Sequence, residues 1–207
     1  MVEYFEVHPV NPQPRTVAHV ADIVAAGGLV AYPTDSGYAL GCQLGNADGL
    51  ARITRIRDLG PRHHFTIVVD EFAKLGAYVQ MDNWAFRAIK AATPGPYTFI
   101  LKATRDVPRM MQHPKKRTVG VRIPQHRTAL ALLGALDGPL QSSSLLLPGD
   151  ELPRSDGWQV QEILSHDVDV VLDSGDCGLE PTTVVDLTGD EPEVLRLGAG
   201  DPEPFTS

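Results

Sequence analysis

The chain has 207 residues, 43% of them apolar and 21% charged, and a formal net charge of −8. That length can bury a sizeable core, and the composition is that of a globular protein. The acidic balance excludes a protein whose whole surface binds nucleic acid or anionic membrane, but it leaves room for a local basic cleft.

In chain order, Tyr4 to Val7 reads as a short first strand, and Asn11-Pro12-Gln13-Pro14 as a break. From Arg15 the apolar positions Val17, Val20, Ala21 and Val24 have helical spacing, and Gly27-Gly28 ends that helix. Leu29 to Tyr32 is a buried strand that Pro33 is expected to stop, because proline cannot donate to a ladder. Thr34 to Gly37 follows as a polar loop, and Tyr38 to Cys42 resumes the apolar pattern. Asn46 caps a second helix carrying Leu50, Ile53 and Ile56, with Arg52, Arg55 and Arg57 beside the stripe. Phe65 to Val69 is a strand, and Asp70 caps a short helix. Asp82 or Asn83 caps another, with Trp84, Ala88 and Ala92 as core candidates. Tyr97 to Lys102 is a strand, Val107-Pro108 opens a helical turn, and His113 to Arg117 is a basic loop. Thr118 to Ile123 is a strand, Thr128 to Leu136 a helix, and Leu140 to Ser144 a strand. Leu145 to Asp156 lacks periodicity, which in compact proteins often marks a functional loop. Val160 to Leu164 is helical, and Val168 to Leu172, Thr182 to Leu187 and Val194 to Leu197 are strands. The pattern predicts one mixed α/β domain over 1–207, with 1–14 and 199–207 peripheral and the acidic tail frayed.

Cys42 and Cys177 are the only cysteines, so no disulfide framework or cysteine-based zinc site is implied. Both read as buried thiols in a reducing compartment. Met1 to Val7 holds two glutamates and no basic residue, unlike a signal peptide, and no apolar run approaches membrane-spanning length. A cytoplasmic protein without membrane contact is expected.

Several polar residues fall at strand ends, where open α/β sheets place ligands. Thr34 and Asp35 follow a strand, and bind a ligand or their own backbone. Arg122 and Arg196 lie within strands, which is costly unless each faces an anion or a carboxylate. Ser142-Ser143-Ser144 offers hydroxyls to phosphate oxygens or to nearby backbone. His63-His64 contacts an anion, supplies a proton, or forms a solvated turn. No Walker-type loop, serine–histidine–acid pattern or zinc motif is present.

The stretches A-Y-P-T-D-S-G-Y-A-L-G-C, P-G-P-Y-T-F-I-L-K, T-V-G-V-R-I-P, S-S-L-L-L-P-G, P-T-T-V-V-D-L and R-L-G-A-G-D, in this order, resemble the YrdC-like family, and the YciO branch in particular. The resemblance implies a twisted open mixed α/β sheet with helices on both faces and a concave cleft. It also implies an activity, joining L-threonine, bicarbonate and ATP into threonylcarbamoyl-adenylate with release of pyrophosphate, for transfer RNA modification. By the family's motifs, Thr34 and Ser143 would contact substrate, and Arg122 substrate and nucleotide. Thr118, Ser144, Ser155 and Arg196 would contact nucleotide, and Arg57 would clamp phosphate charge. Mg²⁺ is expected on the triphosphate rather than in a protein cage.

The alternative implied by the resemblance is a protein of the same fold that binds double-stranded RNA, transfer RNA or a nucleotide without efficient synthesis. Arg52, Arg55, Arg57, Arg62, Lys115, Lys116 and Arg117 would then contact phosphates. Two departures weaken the expected synthesis. Leu59 stands where the family carries a second basic residue after Arg57, and Leu146 where it carries an asparagine. Neither leucine can stabilise charge that develops during adenylyl transfer.

Overall fold

The structure is a computed structural model that describes residues 2–60, 63–175 and 177–206. Its strands are β1 (Glu3–Glu6), β2 (Val30–Thr34), β3 (Gly37–Gln43), β4 (Thr66–Val68), β5 (Val79–Gln80), β6 (Tyr97–Ala103), β7 (Thr118–Arg122), β8 (Leu140–Ser144), β9 (Val170–Asp173), β10 (Thr183–Asp186) and β11 (Glu193–Arg196). Between them lie α1 (Pro14–Ala25), α2 (Ala47–Arg57), α3 (Phe72–Leu75), α4 (Asn83–Ala92), α5 (Arg127–Ala135) and α6 (Gly157–Ile163). All the strands join one mixed sheet in the order β1-β9-β2-β3-β8-β4-β7-β6-β10-β11, and β5 adds to β6. No helix among the described residues is long and apolar enough to cross a membrane.

Strand alternation divides the core into two layers. Val30 and Tyr32 of β2 and Val170 and Leu172 of β9 face Val17, Val20 and Val24 of α1 and Leu132 and Leu133 of α5. Leu29, Ala31 and Val171 face the other way, against Leu50 and Ile53 of α2, Ile89 of α4 and Val160 of α6. The helix pair α1–α5 lies over β2, β3 and β9. On that same face, Thr66 of β4, Thr98 and Ile100 of β6, Val184 of β10 and Arg196 of β11 line an open cleft instead. The concavity arises because one half of this face has helices and the other half does not.

Local chemistry explains where elements begin. Asn46 accepts from the Gly49 N–H and Asp82 from the Ala85 N–H, as helix N-caps do. Tyr4 Oη and Tyr38 Oη both donate to the Asp173 carboxylate, at 2.5 and 2.8 Å, and so link β1, β3 and β9.

Four expectations are corrected. Pro33 does not stop β2, which runs to Thr34 with Pro33 opposite Tyr38. The Tyr38 N–H goes to the Arg154 carbonyl and its carbonyl accepts from the Leu145 N–H, so this pair exchanges no ladder bonds. The missing N–H of Pro33 then points towards β9, which pairs with β2 only at Val30 and Ala31. Trp84 is 40% exposed, and α4 instead buries Ala85 and Ile89, one residue further round the helix. The two-residue strand β5 was not anticipated, since its only apolar member is Val79. The tail beyond residue 199 is not frayed throughout. Phe205 is 1% exposed and packs with Tyr97 and Phe99 at ring-centroid distances of 5.8 and 5.6 Å.

Phe205→Ala should therefore destabilise the protein by about 3–5 kcal/mol in urea unfolding. Leu197→Ala, at a side chain 68% exposed, should change stability by less than about 0.5 kcal/mol. Equal, small effects would show that the tail does not complete the core.

Candidate functional site

The cleft has a main chamber of about 460 Å³ and a narrow recess of about 30 Å³ at its floor. Thr66, Thr98, Ser143 and Ser144 line both. Gly120 keeps the floor low, because a Cβ there would meet Thr66 Oγ1 at 3.0 Å and Thr98 Cγ2 at 3.3 Å.

The recess is built around a buried charge. Arg122, at the end of β7, is 7% exposed and donates through Nη2 to Asp35 Oδ1 at 2.5 Å. Asp35 sits in the tight β2–β3 turn. The Thr34 hydroxyl fixes that turn by donating to the Gly37 carbonyl at 2.6 Å and accepting from the Ser36 N–H at 3.1 Å. One half of each charged group remains unused. Asp35 Oδ2 and Arg122 Nε are buried and have no hydrogen-bond partner among the described residues. A buried ion pair is stable only when its remaining donors and acceptors are satisfied, so these two atoms mark an incomplete polar site.

Two further arginines face the main chamber. Arg57 Nη1 donates to Ser143 Oγ, and Arg57 Nε to the Leu146 carbonyl at 3.2 Å. Arg196 grips the Thr182 carbonyl through Nε and Nη2 at 3.0 and 2.9 Å, and Thr182 Oγ1 lies 2.9 Å from Thr98 Oγ1. Neither arginine has a carboxylate partner among the described residues. Burial, then the nearby Arg196, lowers the Arg57 guanidinium to about 10. Burial, then Arg122, also lowers Arg196. Two guanidiniums without a described carboxylate partner, beside the Asp35-paired Arg122, favour an anion in a chamber whose one acidic lining residue among those described is the exposed Glu151.

His63 completes the chamber. Its Nε2 is 3.0 Å from Ser143 Oγ. Burial, followed by Arg57 and His64, lowers the imidazole to about 4, so it is neutral at neutral pH. Ser143 Oγ accepts from Arg57 and shares a hydrogen bond with His63 Nε2 whose direction follows the imidazole tautomer.

The structure brings six of the eight expected residues to the cleft: Thr34, Arg57, Arg122, Ser143, Ser144 and Arg196. Thr118 and Ser155 do not line it. Thr118 is buried opposite Lys102, and its hydroxyl is 3.4 Å from the ring of His64, which does line the chamber. Ser155 is half-buried, and its carbonyl accepts from Cys177 Sγ at 3.5 Å. Asp35, read from the sequence as binding a ligand or its own backbone, pairs with Arg122 instead, and Thr98 and Thr182, not singled out as site residues, join the cleft.

The basic residues expected to contact RNA are divided among ion pairs, the cleft and a neighbouring groove. Arg52 pairs with Asp169 at 2.7 Å and Arg55 with Asp167 at 2.9 Å. Arg57 lies in the cleft, whereas Lys116 and Arg117 line a separate groove. Arg62 lies outside the described residues.

Comparison with known proteins accords with this architecture. The family model Sua5_yciO_yrdC, described as "Telomere recombination", matches residues 22–198. The chain belongs to that family, whose members include threonylcarbamoyl-AMP synthases. It is 46% identical to the YciO protein of Escherichia coli (strain K12) over 205 residues, 99% of this chain and all of that one. The crystal structure of E. coli YciO superposes with a TM-score of 0.96, covering 99% of this chain and 100% of that one. A threonylcarbamoyl-AMP synthase from Halorhodospira halophila (strain DSM 244 / SL1) is 32% identical over 181 residues, 86% of this chain and 93% of that protein. Sua5 of P. abyssi complexed with L-threonine superposes with a TM-score of 0.86 at 26% identity, covering 94% of this chain and 57% of that one.

The neutral His63 has a consequence for stability. Its folded pKa, about 4, lies below the unfolded value of about 6.5, so the unfolded chain binds the proton first. The stability it contributes is complete above about pH 6.5 and is lost as pH falls towards 4. Over this range the melting temperature of wild type should fall more steeply than that of His63→Gln. Parallel curves would mean that His63 is solvated.

Proposed function

We propose that this chain is a threonylcarbamoyl-adenylate synthase-like nucleotidyltransferase, acting as one domain, that binds ATP and L-threonine in the cleft. The observation that carries the reading is the half-used pair at the floor. Arg122, which lines the recess with Thr34, Ser143 and Ser144, has an unused Nε for an α-carboxylate, and its partner Asp35, outside the lining, has an unused Oδ2 that an α-ammonium would reach by displacing the turn only slightly. The recess of about 30 Å³ admits only one end of an amino acid, so the zwitterion would seat a charged group at Arg122 and extend the rest into the main chamber. Arg57 and Arg196, which pair with no described carboxylate, then suit a polyphosphate beside it. The similarity to a protein named threonylcarbamoyl-AMP synthase and to a Sua5 complexed with L-threonine supports the same assignment.

In this reading the amine of threonine loses a proton and captures bicarbonate, with loss of water, to give a carbamate. A carbamate oxygen attacks the α-phosphate of ATP. The new P–O bond forms as the bond to the β-phosphate bridging oxygen breaks, and pyrophosphate leaves. Protein groups mainly orient the reactants and stabilise phosphate charge. Arg57 and Arg196 clamp the triphosphate, Ser143 and Ser144 orient it, and Arg122 holds the amino acid. Mg²⁺ arrives on the triphosphate as part of that substrate.

Synthesis should nonetheless be slow. Leu146 lines the chamber and supplies only its backbone carbonyl to Arg57, where an asparagine amide would add donors and an acceptor. Leu59 behaves differently. It is half-buried against the apolar core cluster, so restoring a basic residue there would press a charge into apolar surroundings.

Two measurements test the proposal. L-Threonine titrated calorimetrically should bind wild type, and Asp35→Asn should weaken it by about tenfold or more, because the ammonium loses its counter-charge. Unchanged affinity would remove the recess from the site. Pyrophosphate release that requires ATP, threonine and bicarbonate together should run about a hundredfold slower than in synthases with the asparagine, and Leu146→Asn should raise it. Wild-type turnover equal to such a synthase would refute the proposed deficit.

A further inference from the structure

A groove of about 770 Å³, larger than the cleft chamber, opens beside it. Strand β6 runs through both. Thr98, Ile100 and Lys102 lie on one face by strand alternation; the first two line the cleft and the third lines the groove. The rings of His64 and His113, stacked with centroids 5.1 Å apart, mark the boundary, His64 on the cleft side and His113 on the groove side.

Within a protein of net charge −8, this groove is lined by Lys102, Arg105, Arg109, Lys116 and Arg117, and by no carboxylate. None of the five forms an ion pair with a described carboxylate. All five are exposed. Their backbone is nonetheless held in place. His113 Nδ1 accepts from the N–H groups of Lys115 and Lys116, at 3.3 and 3.2 Å, and the His113 N–H donates to the Thr118 carbonyl at 2.8 Å. Arg117 takes a left-handed backbone, φ +53°, that non-glycine residues rarely adopt, and so is turned at the groove's rim against local preference. On the opposite side Gln112 Nε2 donates to the Val107 carbonyl at 2.8 Å and Thr104 Oγ1 to the Ala77 carbonyl at 2.6 Å.

The lining also selects among polyanions. No Phe, Tyr or Trp lines the groove, so a single-stranded nucleic acid would find nothing on which to stack its bases. Duplex RNA is read by shape across about 16 base pairs, over two minor grooves, a longer track than the one patch of five basic side chains. A slender chain of phosphates needs only positive charge along its length and a depression to lie in.

We propose that this groove binds a linear oligophosphate of three or more consecutive phosphates, free or carried by a nucleoside. The site is separate from the amino acid recess and does not depend on the assignment of the cleft.

The test is calorimetric titration of the full chain with sodium tripolyphosphate in metal-free buffer at low ionic strength. Wild type should bind, with affinity that falls steeply as salt is added, and sodium sulfate should bind about tenfold more weakly or less well still. Arg105→Glu/Lys116→Glu should lower tripolyphosphate affinity by about tenfold or more, and Arg105→Gln/Lys116→Gln by a smaller factor. Both pairs are exposed, so melting temperature should stay near that of wild type. Arg57→Ala removes any second tripolyphosphate that enters the cleft, and the groove event that remains should keep its affinity within about twofold. ATP affinity lowered by the Glu pair would assign the chain to a nucleotide, and ATP affinity left unchanged would assign it to a free oligophosphate. The proposal is overturned by any of four results: no tripolyphosphate binding, no effect of the Glu pair, loss confined to Arg57→Ala, or a short RNA duplex that binds the groove and is not displaced by tripolyphosphate.

Discussion

The site depends on one ion pair between distant strands. Asp35 follows β2 and Arg122 ends β7, and four inter-strand steps separate those strands in the sheet order. In a flat sheet four steps span about 19 Å, several times the reach of an aspartate. The 2.5 Å contact exists because the strands twist and coil by about 20–25° per step, which brings remote strand ends together over the concave face. The pair is thus a consequence of the curl and also a lock on it. Breaking it would leave a charge buried near Tyr32, Val68 and Ser142, so the curl and the pairing must form together. The Thr34 hydroxyl, committed to the turn, sets the aspect from which Asp35 enters.

The rest of the cleft is electrostatically unfinished. Backbone carbonyls and hydroxyls hold Arg57 and Arg196, not acids. Such partners fix direction without neutralising charge, and each guanidinium lowers a neighbour's affinity for its proton. An anion entering the chamber meets donors that are already aimed, so little reorganisation opposes binding. His63 stays neutral because it is buried, with Arg57 and His64 adding to the effect, and as an uncharged ring it hydrogen-bonds Ser143 without adding repulsion. The acidic surface of the rest of the molecule makes the positive cleft local, consistent with a small anionic substrate more than with a broad nucleic-acid face.

Much of this was legible in the residues, because strands and caps are written locally. The apolar spacing of α1, the Asn46 and Asp82 caps and the arginine inside β7 all carry their reason in a few neighbouring positions. What was illegible depended on pairing. Pro33 looked like a stop because its lack of an N–H matters only if a neighbour needs it, and β9 has diverged by that point. Trp84 looked like core because helix phase is set by which face meets the sheet, and a shift of one residue favours Ala85 and Ile89. Phe205 was hidden in an acidic tail because its partners, Tyr97 and Phe99, lie about a hundred residues earlier. Asp35 could be read as a turn former, but its role became visible only when Arg122 was placed beside it.

The same distinction between side chain and pairing separates the two leucines that depart from the family pattern. Aligned motifs make Leu59 and Leu146 look like equivalent losses from one clamp. In the fold Leu146 remains at the chamber and its backbone carbonyl still orients Arg57. Leu59 follows Asp58, whose left-handed backbone ends α2, and its side chain has joined the apolar core. A basic residue at 59 would have to leave that contact to reach the chamber, so the second lost charge has been replaced by packing, not merely deleted. The first loss is a chemical gap in an otherwise preserved site, and the second is a structural commitment of the helix end. Any retained turnover must therefore rest on Arg57, Arg122 and Arg196 alone among the described residues, with the neutral His63 between them unable to supply the missing charge near neutral pH.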